Sequence, residues 1–197
     1  MPLQLITPPA LEPVSLAEAN AHLRLETSVD DAAVISLIIA ARHHVEQMCW
    51  RGLVTQTWEL VATGFPFDSC SPIAQQGFEL SMGNLSSVAS LKYIDPNGVE
   101  QTMPSADYAA DAVAVPGRLR LAYGKSWPSY RQQWDAVRIR YAVGWAPGAV
   151  PQPIKQAMLL LISQMYEHRT PEVTGTIVSA VSFAVEALLG PYRLVRF

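Results

Sequence analysis

The chain changes its hydrophobic period twice, and this change constrains its fold more than any other feature. Apolar residues recur at helical spacing over about 31–49. Strand-like alternation replaces that spacing over about 55–146, and helical spacing returns from Pro153 to about residue 168. This order predicts an α+β fold in which a β-rich insertion, 55–150, interrupts a helical bundle.

The N-terminal part, 1–54, is predicted to hold an extended arm and two helices. Four prolines among residues 1–14 indicate the arm. Ser15 and Glu18 then fit a capping box, in which each side chain accepts a hydrogen bond from a free backbone N–H of the other residue. The short helix that they open is expected to end near Leu25.

The second helix is longer and has a broad apolar surface. Asp30 or Asp31 is expected to cap it, and Gly52 is expected to stop it. Ile35 and Ile39 lie beside the main stripe and predict a second covered face. The main stripe is formed by Val34, Leu37, Ile38, Ala41, Val45 and Met48.

The insertion is predicted to consist of strands and tight turns. Asp95-Pro96-Asn97-Gly98 is a strong turn signal between two strand-like runs, and it indicates a hairpin. Residues 136–143 alternate between apolar and basic side chains, which predicts a half-buried strand with Arg138 and Arg140 on its outer face. Further strands are expected at 57–62, 108–113 and 118–122, and loops at 64–77 and 170–182.

The last part, 151–197, is predicted to form a helix, a loop and a C-terminal arm. Gly190-Pro191 prevents one continuous helix there. The arm is rich in large apolar side chains and includes two arginines, so docking on a partner is the favoured interpretation, and an arm folded back on its own helices is the alternative. The predicted docking residues are Leu188, Leu189, Pro191, Tyr192, Arg193 and Phe197.

Composition indicates a protein with covered apolar surface and no strong affinity for DNA. Of its 197 residues, 50% are hydrophobic and only 16% are charged, which is apolar for a soluble monomer and suggests a partner that covers part of the surface. The net charge is −3 and the sequence pI about 5.8. Proteins that grip a nucleic-acid backbone usually present a basic face instead.

The sequence contains no motif for catalysis or for a metal. His43 and His44 are adjacent on a predicted helix and point about 100° apart, so they cannot both face one ion. No glycine-rich phosphate loop and no nucleophile elbow is present. Cys49 and Cys70 are expected to be free thiols. We therefore predict a non-enzymatic protein without cofactor or metal, and neither a signal peptide nor a membrane span is expected.

One segment combines aromatic and basic side chains. Over 123–131 it carries Lys125, Trp127, Tyr130 and Arg131. Packing or subunit contact is the favoured interpretation, because aromatic residues are enriched at protein interfaces. The alternative is a nucleic-acid-binding module over 123–140, in which Lys125, Arg131, Arg138 and Arg140 contact phosphates and rings stack on bases.

Taken together, several short motifs resemble the head–tail connector (adaptor, head-completion) proteins of tailed phages and gene transfer agents. Each motif is weak alone, but the set is ordered and spans nearly the whole chain. The motifs are PVSLAEA (13–19), HLR (22–24), DD (30–31), RGL (51–53), TQTWEL (55–60), YGKSWP (123–128), PQPIKQA (151–157), YE (166–167), FAVEALL (183–189) and PYR (191–193).

The resemblance implies a single connector domain and a structural role in a virion. Members of this family form a ring of about a dozen identical subunits beneath the portal protein, a closed cyclic assembly. Such a ring joins the capsid to the tail, meets a tail or stopper protein, and extends the channel through which DNA passes without tight binding. The expected location is the head–tail junction of the virion, after assembly in the cytoplasm of a bacterial host.

Overall fold

The computed structural model describes residues 2–66, 77–146, 148–167 and 179–194, with the side chains of 179–182 excepted. In chain order the elements are β1 (Leu3–Thr7), α1 (Leu16–Leu23), α2 (Asp31–Cys49), β2 (Gln56–Ala62), β3 (Phe78–Leu80), β4 (Leu85–Ile94), β5 (Glu100–Met103), β6 (Tyr108–Asp111), β7 (Gly117–Leu121), β8 (Val137–Val143), α3 (Gln152–Glu167) and α4 (Ser179–Leu189). The predicted mixed class is confirmed, because four helices accompany two antiparallel sheets.

The chain forms two compact units. The β unit consists of residues 1–10 and 55–145, and the helical unit consists of residues 11–54 and 146–197. The predicted insertion, 55–150, therefore ends close to the observed boundary. That the whole chain acts as a single connector domain stays a prediction.

The larger sheet of the β unit has the strand order β1-β2-β8-β4-β5. β8 is its central strand and alternates as predicted: Val137, Ile139, Tyr141 and Val143 are buried on one face. The register pairs Leu60 of β2 with Ile139, so the apolar residues of neighbouring strands share that face. Period-2 alternation thus creates a core on one side and a polar surface on the other.

The prediction of an N-terminal arm over residues 1–14 is wrong for the first half of that segment. Leu3–Thr7 form β1, which pairs antiparallel with β2 and places Leu3 opposite Leu60. The prolines indicated an extended arm, and the backbone of these residues is extended. However, it pairs with the open edge of β2, which satisfies its backbone hydrogen bonds. A strand partner distant in sequence leaves no local signal.

The smaller sheet has the order β3-β7-β6. Leu119 of β7 and its partner Phe78 of β3 are buried, whereas Arg118 and Arg120 lie on the exposed face. Gly117 lies against Leu85, where an added Cβ would come within 2.5 Å of the leucine Cβ. The absence of a side chain at Gly117 therefore allows this close packing.

In the helical unit, α2 buries most of the predicted stripe, leaves Leu37 and Met48 half-buried, and extends the buried face with two charged residues. Val34, Ile38, Ala41, Val45 and Cys49 are buried. α2 packs on α3, as the helical apolar spacing over both about 31–49 and about 153–168 predicts. In α3, Ile154, Ala157, Met158 and Ile162 are buried, while Leu161 is only half-buried.

The ends of the helices agree with the sequence in part. The capping box is confirmed, since Glu18 N donates to Ser15 Oγ at 3.2 Å and Ser15 N donates to Glu18 Oε2 at 2.8 Å. Asp30 occupies the N-cap of α2, but its side chain makes no cap hydrogen bond and instead accepts from the Tyr166 hydroxyl. Gly52 is not the stop signal, because Trp50 is the left-handed residue that ends α2, with φ of 57°.

A buried ion network joins the start of the helical unit to the end of α2. Arg42 and Glu46 are each 4% exposed. Arg42 Nη1 donates to Glu46 Oε2 at 3.0 Å, and Arg42 Nε donates to Glu12 Oε2 at 2.8 Å. The other oxygen of Glu46 accepts from the backbone N–H of Leu53 at 3.0 Å. One arginine and one glutamate thus hold two loop segments against α2.

Glu18 should make the stability of the helical unit depend on pH. The backbone N–H and hydroxyl of Ser15, and then Lys155, lower the pKa of Glu18. A lowered folded-state pKa means that the stabilisation is present above the ordinary pKa of the carboxyl and is lost as pH falls through the lowered value. Glu18→Gln should therefore lower the melting temperature at neutral pH. The difference from the wild type should vanish in acid, and a pH-independent difference would contradict this account.

Candidate functional site

The basic-aromatic segment, 123–131, lies between β7 and β8 and has no regular secondary structure. Its two central rings pack on Phe65. Trp127 stacks on the Phe65 ring with centroids 4.6 Å apart and planes 14° apart, and Tyr130 meets the same ring edge-on at 5.5 Å. Both rings are half-buried, so the segment is fixed to the β unit by aromatic packing.

The other members of this aromatic cluster were missed in the sequence. Phe65 also contacts Phe78 and Tyr93, with centroids 6.4 Å and 5.8 Å apart. Gly64 lies beneath Tyr130, where an added Cβ would come within 2.2 Å of the tyrosine hydroxyl. The cluster collects residues from separate segments of the chain, and Phe65 was assigned to a loop. No local sequence pattern predicts a cluster of residues that lie far apart in the chain.

A hollow of about 520 Å³ opens beside this cluster. Its walls include Phe65, Leu121, Lys125, Trp127 and Tyr130. The volume lies within the range of small-molecule sites. The lining also includes the polar residues Ser126, Ser129 and Gln132, while its one charged residue, Lys125, is engaged with Asp107 at 2.7 Å. The hollow therefore resembles a surface depression more than an active site.

The cations proposed for phosphate contacts are largely neutralised within the β unit. Lys125 pairs with Asp107, Arg138 with Asp135, and Arg140 with Glu59, each at 2.7 Å. The hydrogen bond from Arg138 lowers the pKa of Asp135 and raises that of Arg138 itself. A carboxylate beside each cation lowers the local positive potential that would attract a phosphate.

Arg131 is held in another way. Its backbone N–H donates to Ile94 O at 2.9 Å, which ties the end of the segment to β4. Its guanidinium lies close to Gly98 in the turn between β4 and β5, and the side chain is exposed. Of the four cations that the nucleic-acid interpretation requires, Arg131 is the one for which the described residues show no carboxylate partner.

The C-terminal segment does not form the predicted extended arm over residues 188–194. α4 continues into a single turn, Gly190–Tyr192, and two hydrogen bonds then fasten the chain to the end of α2. Arg51 Nε donates to Tyr192 O, and Leu194 N donates to Cys49 O at 3.1 Å. Unpaired carbonyls at a helix end need donors, and the returning chain supplies one. The alternative of an arm folded back is therefore correct for these residues.

The predicted docking residues consequently differ in exposure. Leu189 is 2% exposed and belongs to the core of the helical unit. Leu188 and Tyr192 are half-buried, whereas Pro191 and Arg193 are exposed. Phe197 lies outside the described residues. Any contact that this segment makes with a partner must therefore use the exposed side of a folded turn.

The described residues bring together no group that suggests catalysis or metal binding. No three His, Cys, Asp or Glu side chains among them are arranged to hold a metal ion. Cys49 is buried, and its burial raises the pKa of the thiol, an effect that the nearby Arg51 and Arg193 oppose only in part. A buried neutral thiol is a poor nucleophile. Among the described helices, none has the length and apolar character needed to cross a membrane.

Comparison with solved structures identifies proteins of the same fold. A chain from the neck of an empty gene transfer agent particle, computed with C6 symmetry, has a TM-score of 0.79 and 26% identity and matches over 100% of this chain and 97% of its own. A chain from the virion of a native gene transfer agent particle has a TM-score of 0.78 and 25% identity over the same shares. A third, from a native neck computed with C12 symmetry, has a TM-score of 0.75, 24% identity and the same coverage.

No protein-family model matches the chain, and no curated protein sequence does. The structural neighbours nevertheless agree with the sequence motifs, because they extend over the full length of the chain and come from gene transfer agent particles, two of them from the neck. The resemblance to a head–tail connector is thereby confirmed at the level of the whole fold. The neighbours are components of gene transfer agent particles.

Proposed function

We propose that this chain is a structural virion protein of the neck, a connector that forms a ring beneath the portal protein and joins the capsid to the tail. The observation that carries the proposal is the full-length likeness, at a TM-score of 0.79, to a chain from the neck of a gene transfer agent particle. The neighbours' necks were computed with C6 and C12 symmetry, which supports a ring of about a dozen subunits.

The charge distribution of the β unit suits a protein that borders a DNA channel without gripping DNA. The polar face of the larger sheet carries the pair Arg140–Glu59 and the pair Lys92–Glu100. Because each cation there has an adjacent carboxylate, the face offers few fixed contacts to passing phosphates. The nucleic-acid-binding alternative receives no support from this arrangement.

The partners follow from this role. One side of the ring would meet the portal protein, and the other a tail or stopper protein, at the head–tail junction of a virion assembled in a bacterial cytoplasm. We propose the turn after α4 as the portal-docking surface, with the exposed Pro191 and Arg193 as its contacts and the half-buried Leu188 and Tyr192 as its base. Phe197 remains part of this docking hypothesis. The segment 123–131 is proposed as a second interface, through the exposed side chains of Lys125 and Arg131.

The proposal is tested by mixing the purified protein with portal rings and measuring the mass of the complex. We expect an added mass equal to about a dozen copies per portal ring. Arg193→Glu should weaken portal binding while leaving the melting temperature unchanged, because Arg193 is exposed and its side chain can be replaced without loss of packing. Arg120→Glu, an exposed charge reversal in the β unit, is the matched control and should bind normally. A protein that never joins the portal ring would contradict the proposed function.

A further inference from the structure

The outer face of α2 is unusual for a surface helix. No charged residue occurs from Ala32 to Ala41. On this face Ile35 is 45% exposed and Ile39 is 38% exposed, although both are large aliphatic residues. Their exposed neighbours are small or uncharged, namely Ala32, Ala33, Ser36 and Ala40. Helices of soluble monomers normally place charged side chains on this side, so the face is expected to be covered in the functional state.

The same unit carries a second apolar feature on α4. Phe183 is 75% exposed, and Ala187, one turn later, is also exposed. The α4 sequence contains a single charged residue, the exposed Glu186. α4 therefore presents one large ring beside one carboxylate. A ring of this size is rarely left in water unless it binds a partner.

The two faces match each other in shape and charge. The small residues of α2 leave room for a large side chain beside Ile35 and Ile39. One turn beyond Ile39 lies the exposed His43, and one turn beyond Phe183 lies Glu186. Where the two helices run parallel, a phenylalanine placed against the isoleucines brings a carboxylate near an imidazole that can donate a hydrogen bond. His44 lies beside His43 on the same exposed side.

We propose that the outer face of α2 is the seat for the Phe183 side of α4 from a second copy of this chain. The two faces are different surfaces of one subunit, and a contact between unlike surfaces is the kind that closes a ring instead of a two-fold dimer. The inference rests on the proposed ring and adds the identity of its subunit interface. The cyclic symmetry of the structural neighbours is the reason to choose a second copy as the occupant.

The first test places a charge in the interface. Ile39→Lys and Phe183→Lys should each weaken subunit association by roughly 30-fold or more, because a central apolar contact becomes an unpaired charge. Val113→Lys is the matched control, since Val113 is 92% exposed and lies on the β unit. Mass photometry of the assembly, alone and on portal rings, measures the effect, and unchanged melting temperatures show that the variants fold.

The second test identifies the surfaces that meet. Subunits with Ile39→Cys and subunits with Phe183→Cys, both with Cys70→Ser, are mixed, assembled and bridged with a short bis-maleimide. We expect covalent dimers in the mixture and none from either variant alone, because Cys49 is buried and unreactive. Covalent dimers from the Ile39→Cys variant alone, or rings that still assemble with Ile39→Lys, would contradict the proposed subunit interface. Neither result would contradict the proposed ring itself. A wild-type chain that forms no ring even with portal protein overturns the proposed function and this interface together.

Discussion

Replacing Arg42 with Met is expected to lower the free energy of unfolding of the helical unit by about 3–5 kcal/mol. The substitution keeps most of the aliphatic volume but removes the guanidinium that neutralises Glu46. Glu46 is 4% exposed, so its carboxylate would remain buried without the guanidinium that neutralises it. A buried charge that has lost its counter-ion costs far more than the net gain from the original pair, and this asymmetry sets the size of the effect.

Two further variants separate the cost of losing an ion pair from the cost of leaving a buried charge without its counter-ion. Lys92→Met breaks the pair with Glu100, whose side chains are 40% and 41% exposed, and should cost at most about 1 kcal/mol. The double variant Arg42→Met with Glu46→Gln removes the buried charge and keeps an acceptor for Leu53, so it should recover part of the loss. Urea denaturation measures all three, with helical circular dichroism for the two Arg42 variants and tryptophan fluorescence for Lys92→Met, because Lys92 lies in the β unit. The account fails if Arg42→Met costs no more than Lys92→Met.

Replacing Ile162 with Ala should destabilise the helical unit by about 2–5 kcal/mol. Ile162 is fully buried on α3, where that helix packs with α2. Truncation removes three methyl or methylene groups and leaves a cavity that close-packed neighbours fill only in part. The effect should appear as a lower denaturation midpoint with an unchanged slope.

The matched control is the adjacent residue on the same helix. Leu161 lies in the run of helical apolar spacing that the sequence shows from Pro153 to about residue 168, but the structure leaves it half-buried. Leu161→Ala should therefore cost only about 1 kcal/mol, in proportion to the apolar area that it loses. Equal losses of unfolding free energy for Leu161→Ala and Ile162→Ala would show that α3 is rotated relative to the structure described.

Elements whose signals are local could be predicted from the amino-acid sequence. The capping box of Ser15 and Glu18 was predicted, because both partners lie within one helical turn. β8 was predicted with the correct faces, because its alternation reports directly which side chains meet the core. The resemblance to a connector also came from ordered sequence motifs, and the likeness to neck proteins over the full chain agrees with it.

Tertiary structure alone decided the features that depend on partners distant in the chain. Leu3–Thr7 became an edge strand because β2 had an open edge, and proline-rich composition cannot reveal that. Leu194 returned to Cys49 because the end of α2 had an unpaired carbonyl, so the expected arm is a folded turn. The rings around Phe65 and the carboxylates beside Arg138 and Arg140 were likewise brought together by folding. Composition favoured an apolar surface that a partner covers, but only the packed helices showed which face of α2 remains open, because exposure depends on the neighbours that folding provides.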